Sequence, residues 1–277
     1  MESNLYDVRP VSPAAPYIGG KRNLAQRVCT LIGSTPHKTY VEPFVGMGGV
    51  FLRRNRRPSA EVINDISGDV AGFFRILQRH YLALMDLLRW QITSRAEFDR
   101  LLAQDPDTLT DLERAARFLY VQRCAFGGKV AGRAFGVSVS NPGRFDVTKL
   151  AVLLPEIHER LAGVIIERLP YGQVIERYDS PDTLFYLDPP YWDCEGDYGP
   201  GVFSRSDFEL LAEQLASIRG RFILSINATD GSRAVFNRFA VDEVMTTYSV
   251  GQKTEGARTA PELIVKSAGI DWSGPLI

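Results

Sequence analysis

The chain has 277 residues, of which 45% are hydrophobic and 23% charged, and its formal net charge is −1. This length suits one large core carrying a smaller insert, and the ordinary composition excludes a disordered or fibrous protein. The near-zero charge excludes a globally basic nucleic-acid binder, so any basic surface has to be local.

Residues 1–15 are rich in Pro and Ser and read as a loose arm without the basic-then-apolar pattern of a secretory leader. Pro16-Tyr17-Ile18-Gly19-Gly20-Lys21 follows, and Leu24, Val28, Leu31 and Ile32 then recur at helical spacing up to Gly33. A Gly-Gly-Lys turn before a helix can present N–H groups and an ammonium to an anion, although a solvated loop is the plainer reading. Thr39 to Phe44 reads as a strand, Val45 to Gly49 as a turn, and Val50-Phe51-Leu52 as the start of a helix. Glycines at this turn permit positive φ and a close approach of backbone to ligand. Glu61 to Asn64 forms the next strand, ending in Asp65. An acid about 20 residues after a glycine turn is placed to grip ribose hydroxyls, and it can also cap the helix expected from Ile66. Arg53-Arg54-Asn55-Arg56-Arg57 reads as a solvated helix end, with contact to DNA phosphates as the second reading.

From Ser67 to about Cys124 the apolar spacing is helical and implies packing. Residues 123–149 change character: Arg123, Lys129, Arg133, Arg144 and Lys149 are opposed only by Asp146, and Phe126, Phe135 and Phe145 are interleaved. A DNA-contacting loop with aromatic wedges and a solvated lobe with its own apolar cluster fit this composition equally. Helix returns at Leu150 to Ala162, strand at Gly163 to Leu169 and a short helix at Tyr171 to Tyr178.

Thr183 to Leu187 (TLFYL) then reads as a buried parallel strand, which delivers Asp188-Pro189-Pro190-Tyr191 to the carboxyl edge of a sheet. Two prolines leave nearby carbonyls free to accept. With the Asp188 carboxylate and the Tyr191 ring they suit a planar group bearing NH2, such as a nucleobase amine. Residues 193–201 are acidic and Gly/Pro-containing and read as a mobile lid. Ser206 to Ile218 is an amphipathic helix with Ser204 or Ser206 as cap, Arg221 to Asn227 a buried strand, and Val241 to Tyr248 and Leu263 to Lys266 two late strands. Strands alternating with helices indicate a parallel, doubly wound α/β sheet. His37, His80 and His158 have no ligand spacing, so no metal is expected. Three scattered cysteines, Cys29, Cys124 and Cys194, point to a reduced, cytoplasmic setting, and no apolar run approaches the ~18–20 residues of a membrane helix.

In order and spacing, the Tyr17–Lys21 segment, Glu42-Pro43-Phe44-Val45-Gly46-Met47-Gly48-Gly49, Asn64-Asp65, the helical insert and Asp188–Tyr191 resemble the Dam-type (D12 class) DNA adenine-N6 methyltransferase family. The resemblance implies a Rossmann-like class I methyltransferase fold with a mixed, mostly parallel sheet. Residues 16–66 and 163–268 would form the S-adenosylmethionine-binding catalytic domain, and 67–162 an inserted helical and loop recognition subdomain. It further implies that Tyr17, Gly20, Lys21, Phe44, Gly46, Gly48, Asp65 and Asp188 border the cofactor. Asp188, Pro189, Pro190 and Tyr191 would act on the target amine, and Arg123, Lys129, Arg133 and Arg144 would contact DNA. The implied partner is double-stranded DNA, with a cognate restriction endonuclease as a further candidate. Where the family commonly carries an Asn-rich sequence leading to a base-reading arginine, this chain has Gln122-Arg123-Cys124-Ala125-Phe126-Gly127-Gly128-Lys129, so a GATC site is not implied. The rival readings are cytosine-N4 or RNA amino-methylation, and an inactive nucleic-acid-binding relative. A nicotinamide enzyme is argued against by the missing G-x-G-x-x-G.

Overall fold

A computed structural model of the chain describes residues 5–19, 24–137, 140, 142–199, 201–248 and 258–270. A two-residue strand β1 (Tyr6–Asp7) pairs antiparallel with β3 (Arg56–Arg57). The main sheet has seven strands in the order β5-β4-β2-β6-β7-β9-β8. Its parallel part comprises β5 (Ile165–Glu167), β4 (Ala60–Asn64), β2 (Thr39–Glu42), β6 (Thr183–Leu187) and β7 (Arg221–Asn227). The last two strands, β9 (Arg258–Lys266) and β8 (Ala240–Tyr248), run antiparallel. The expected mixed, mostly parallel α/β sheet is therefore present.

Alternation along each strand divides the apolar residues between the two faces. Tyr40, Ile63, Leu184 and Tyr186 join one core, and Val41, Val62, Phe185 and Leu187 the other. All five residues of β6 are buried, as a strand covered on both sides requires. The first core is shared with α1 (Ala25–Ser34), α2 (Gly68–Leu88), α3 (Arg95–Ala103), α4 (Asp111–Cys124) and α5 (Val147–Arg160). On the other face lie α6 (Tyr171–Tyr178), α7 (Arg205–Ser217) and α8 (Asp230–Phe236). Ser67 caps α2, and a Thr110–Glu113 capping box starts α4. α2 bends at His80, where φ is −133° and ψ 34°. There His158 Nδ1 lies 3.0 Å from the Leu77 carbonyl, taking an acceptor of the helical ladder. Among the described residues no cluster of three His, Cys, Asp or Glu could hold a metal, and no helix is long and apolar enough to cross a membrane.

Two sequence expectations fail between Val50 and Arg57. Phe51–Arg53 form a single 3-10 turn, not the start of an α-helix, and Arg54 is extended. Three consecutive apolar residues cannot all face one side of a helix, and here Val50, Phe51 and Leu52 are all buried. The arginine cluster is not a solvated helix end either. Arg54 is 1% exposed and stacks 3.6 Å over the Tyr40 ring. It donates through Nη2 to the buried Glu61 carboxylate, whose two oxygens also accept from Arg160 at 2.6 and 2.8 Å. Burial alone would raise the Glu61 pKa, but the two guanidiniums hold it below the ordinary value. Glu61→Ala would leave two buried guanidiniums without their carboxylate. The expected loss is about 3–5 kcal/mol of unfolding free energy, read from denaturant titration.

Candidate active site

The parallel strands β4, β2 and β6 release the chain at one edge, and each exit carries an acid: Asp65, Glu42 and Asp188. All three line one cavity of about 760 Å³, together with the N-terminal segment at Tyr17 and the loop at Tyr198. The glycine turn and the Asp188 strand end therefore face the same space.

Asp65 joins the turn to the second strand. Its Oδ2 accepts from Gly46 N–H at 3.0 Å and its Oδ1 from Ser67 N–H at 2.9 Å. Burial raises its pKa to about 6 against the pull of those two N–H groups. Asp65 is not the cap of the next helix; Ser67 fills that place, and α2 begins at Gly68, not Ile66. Gly46 and Gly48 do adopt positive φ, +50° and +76°. The space a Cβ would occupy is filled by the protein itself: 3.0 Å from the Tyr17 ring at Gly46, and 2.9 Å from Leu52 at Gly48. The space beside these two Cα atoms is therefore taken by the protein's own side chains, and Gly46 also lines the cavity.

The sequence names Asn64 only as the neighbour of Asp65 in the Asn64-Asp65 pair and gives it no role of its own. Asn64 is buried, its Nδ2 donates to the Pro43 carbonyl at 2.9 Å and to the Leu169 carbonyl at 3.0 Å, and its Oδ1 accepts from Leu169 N–H at 2.8 Å. It thereby staples the exits of β2, β4 and β5. Glu42, 2% exposed, accepts from Tyr40 Oη at 2.6 Å. Burial raises its pKa to about 8, with the nearby Asp188 charge adding to the rise and Arg54 opposing it.

Asp188 Oδ1 accepts from Ser225 Oγ at 3.4 Å, and Ser225 is itself 2.8 Å from Tyr186 Oη. Pro189 and Pro190 are buried, and Pro190 lines the cavity. Tyr191 is not among the described residues that line it. The chain after Tyr191 is clamped by Asn227, which accepts from Trp192 N–H at 2.9 Å and donates to the Trp192 carbonyl at 3.0 Å. The Trp192 ring stacks 4.0 Å from the Arg205 guanidinium and 4.9 Å from Phe208. A Cβ on Gly231 would come within 2.0 Å of that ring. Asn227 and Gly231 lie far from the Asp-Pro-Pro-Tyr motif in sequence, and only the strand order brings them to it.

The loop read as a lid carries a short 3-10 turn, Glu195–Tyr198. Tyr198 tilts against Tyr17 at 6.1 Å between centroids and donates to the Ile18 carbonyl at 3.3 Å. Gly20 and Lys21 lie outside the described residues. The insert is joined to the N-terminal segment by Gln122, which is fully buried and donates to the carbonyls of Pro16 at 2.9 Å and Gly128 at 2.8 Å.

Of the cations read as DNA-contacting, Arg123 lines the cavity and donates to the carbonyls of Ala14 and Arg144. Arg133 donates to Gln122 Oε1 at 3.0 Å and Arg144 to the Ala125 carbonyl at 2.8 Å. Lys129 is exposed. The aromatic wedge reading narrows to one ring: Phe145 is buried against Tyr120, Phe135 packs on Phe98 at 5.4 Å, and Phe126 is 48% exposed.

A profile of the D12 class N6 adenine-specific DNA methyltransferases matches residues 17–250. The chain belongs to that family. It is 22% identical to the type II methyltransferase M.CviBI of Paramecium bursaria Chlorella virus NC1A, over 86% of this chain and 91% of that protein. The type II methyltransferase M1.LlaDCHI of Lactococcus lactis subsp. cremoris is 24% identical, over 97% and 99% respectively. The DNA adenine methylase of Vibrio cholerae is 23% identical, over 90% and 93%. The protein is a DNA adenine-N6 methyltransferase, which sets aside cytosine, RNA and the inactive-relative reading.

The raised Glu42 pKa has a measurable consequence. A glutamate that titrates near 4.5 when unfolded and about 8 when folded contributes stability that is full below the lower value and is lost as pH rises through the upper one. Glu42→Gln removes this loss while keeping an acceptor for Tyr40. The melting temperature of the variant relative to wild type is expected to climb between about pH 5 and about pH 8.

Proposed function

We propose that the cavity binds S-adenosylmethionine beside an adenine extruded from duplex DNA, and that Asp188 to Tyr191 act on the adenine amine. The observation that carries this reading is that the glycine turn, Asp65 and Asp188 line one cavity. Its volume, about 760 Å³, falls in the range of small-molecule sites. The donor set suits the cofactor. Each Asp65 oxygen takes one backbone N–H and keeps acceptor capacity for ribose hydroxyls. Phe44, Tyr171 and Phe203, with centroids 5.4 to 6.1 Å apart, offer an aromatic wall for a flat base. Tyr17, Gly20 and Lys21 would border the cofactor from the N-terminal side, with Gly46 and Gly48 shaping the turn. When bound, S-adenosylmethionine supplies an electrophilic methyl group.

The protein's part is orientation. Adenine N6 is a weak nucleophile because its lone pair is delocalised into the ring. The Asp188 carboxylate and the Pro189 carbonyl accept its two hydrogens, which draws the nitrogen toward a pyramidal shape. Pro190 stiffens the turn, and Tyr191 supplies a stacking face. Extrusion of a paired base costs a few kcal/mol, offset by these contacts, and alignment accounts for most of the rate.

Residues 16–66 and 163–268 form the cofactor-binding unit in this reading, and 67–162 the recognition insert, where Arg123, Lys129, Arg133 and Arg144 approach the DNA. The two type II relatives support a restriction-modification setting with a cognate endonuclease as functional partner.

Purified protein, labelled S-adenosylmethionine and unmodified genomic DNA are expected to yield N6-methyladenine at a sequence that mapping identifies. Asp188→Ala is expected to abolish transfer while cofactor binding, followed by titration, persists at least in part. Full activity in that variant would end the mechanism. Gly231→Ala is expected to displace Trp192 and lower kcat by up to about 10²-fold with cofactor affinity unchanged; an unchanged kcat would show that the Asn227–Trp192 clamp has no bearing on the site.

A further inference from the structure

We propose that the turn Arg89–Ile92, between α2 and α3, is a second DNA-contacting element of the recognition insert, which grips the duplex backbone beside the basic 123–149 segment. The inference rests on the reading of the cavity as the site of adenine methylation in duplex DNA.

Trp90 is 76% exposed and Ile92 68% exposed, two large apolar side chains on one short turn. Single exposed apolar residues are ordinary on protein surfaces. This turn differs because its backbone is held from below. Tyr120 Oη donates to the Ile92 carbonyl at 2.8 Å and accepts from Ser94 N–H at 3.3 Å, and Ser94 caps α3. Trp90 is thus displayed by a fixed backbone.

The turn also continues the surface that leads out of the cavity. Arg123 lines the cavity and donates to the Arg144 carbonyl at 3.3 Å. The next carbonyl, that of Phe145, accepts from Thr93 Oγ1 at 2.8 Å. Four residues, Arg123, Arg144, Phe145 and Thr93, therefore connect the cavity wall to the end of the turn.

Charge selects the occupant. Residues 87–95 carry Arg89 and Arg95 and no acid, and the adjoining 123–149 segment carries five cations against Asp146. Arg89 is held 3.4 Å from Asp86, with both side chains more than half exposed, so phosphate can replace that partner at little cost. Its guanidinium also lies 5.0 Å over the Trp90 ring. A cation beside an exposed indole matches the alternation of phosphate and deoxyribose along a strand, and such contacts position a protein without reading sequence. The ligand is the duplex flank outside the recognition site.

The test uses the whole protein and two duplexes that share one target site, with short and with long flanks. Wild type is expected to show a lower KM on the long duplex. Trp90→Ala and Arg89→Ala are expected to lose that advantage severalfold, with KM on the short duplex, kcat at saturating DNA and the melting temperature unchanged. The salt dependence of KM on the long duplex is expected to become shallower by about one unit of slope in Arg89→Ala. Wild-type KM values for both variants on both duplexes would overturn the inference. So would a change confined to association state, by light scattering, since the turn would then be a protein contact. Absence of adenine methylation by wild type would instead strike the reading of the cavity, and the inference would fall with it.

Discussion

Parallel pairing of β4, β2 and β6 obliges three consecutive sheet positions to release their chains at the same edge. Because each exit carries an acid, the fold gathers Asp65, Glu42 and Asp188 around one cavity. Carboxylates gathered in a partly dry space cannot all stay charged without strain. The structure resolves this by giving each a different environment. Asp65 is tied by two backbone N–H groups, Glu42 is buried with its proton retained to about pH 8, and Asp188 keeps a serine hydroxyl. One strand arrangement thus places three acids in three distinct environments.

Neutral side chains do the holding. Asn64 ties together the exits of three strands, Asn227 grips the backbone of Trp192 by both its N–H and its carbonyl, and Gln122 joins the N-terminal segment to the insert. A primary amide suits each place because it donates and accepts within one planar group. Loops around the cavity are therefore positioned by buried hydrogen bonds, which lose strength least in salt and gain most from a low dielectric.

Much of this was legible from the residues alone. TLFYL reads as a doubly covered strand because every side chain is apolar or aromatic, and β6 is that strand. The pairing of the glycine turn with Asp65 followed from the spacing between such a turn and the acid at the tip of the next parallel strand, although the crossover here is a 3-10 turn and not the helix of a βαβ unit. The arginine cluster reads as surface because charge density looks alike on a surface and in a buried network; its decisive partner, Glu61, is a strand residue whose buried face the local pattern does not reveal. Asn227 and Gly231 escaped for another reason, as did the bonds that Asn64 makes. Their partners are distant in sequence, and no local pattern marks an amide that will close a loop on a different strand.

The contact between insert and N-terminal segment has a consequence for any exchange of recognition regions among relatives. Gly128 sits at φ +69° with the space beside its Cα filled by Tyr17 N and Pro16, while Ile18 N–H donates to its carbonyl at 2.9 Å. Backbone meets backbone here, with no flexible side chain to absorb a mismatch. A transplanted loop that begins after Gln122, or that replaces Gly128 by any residue with a side chain, would push directly on the cavity wall. Chimaeras should therefore be cut so that Pro16–Ile18, Gln122 and Gly128 travel together from a single parent.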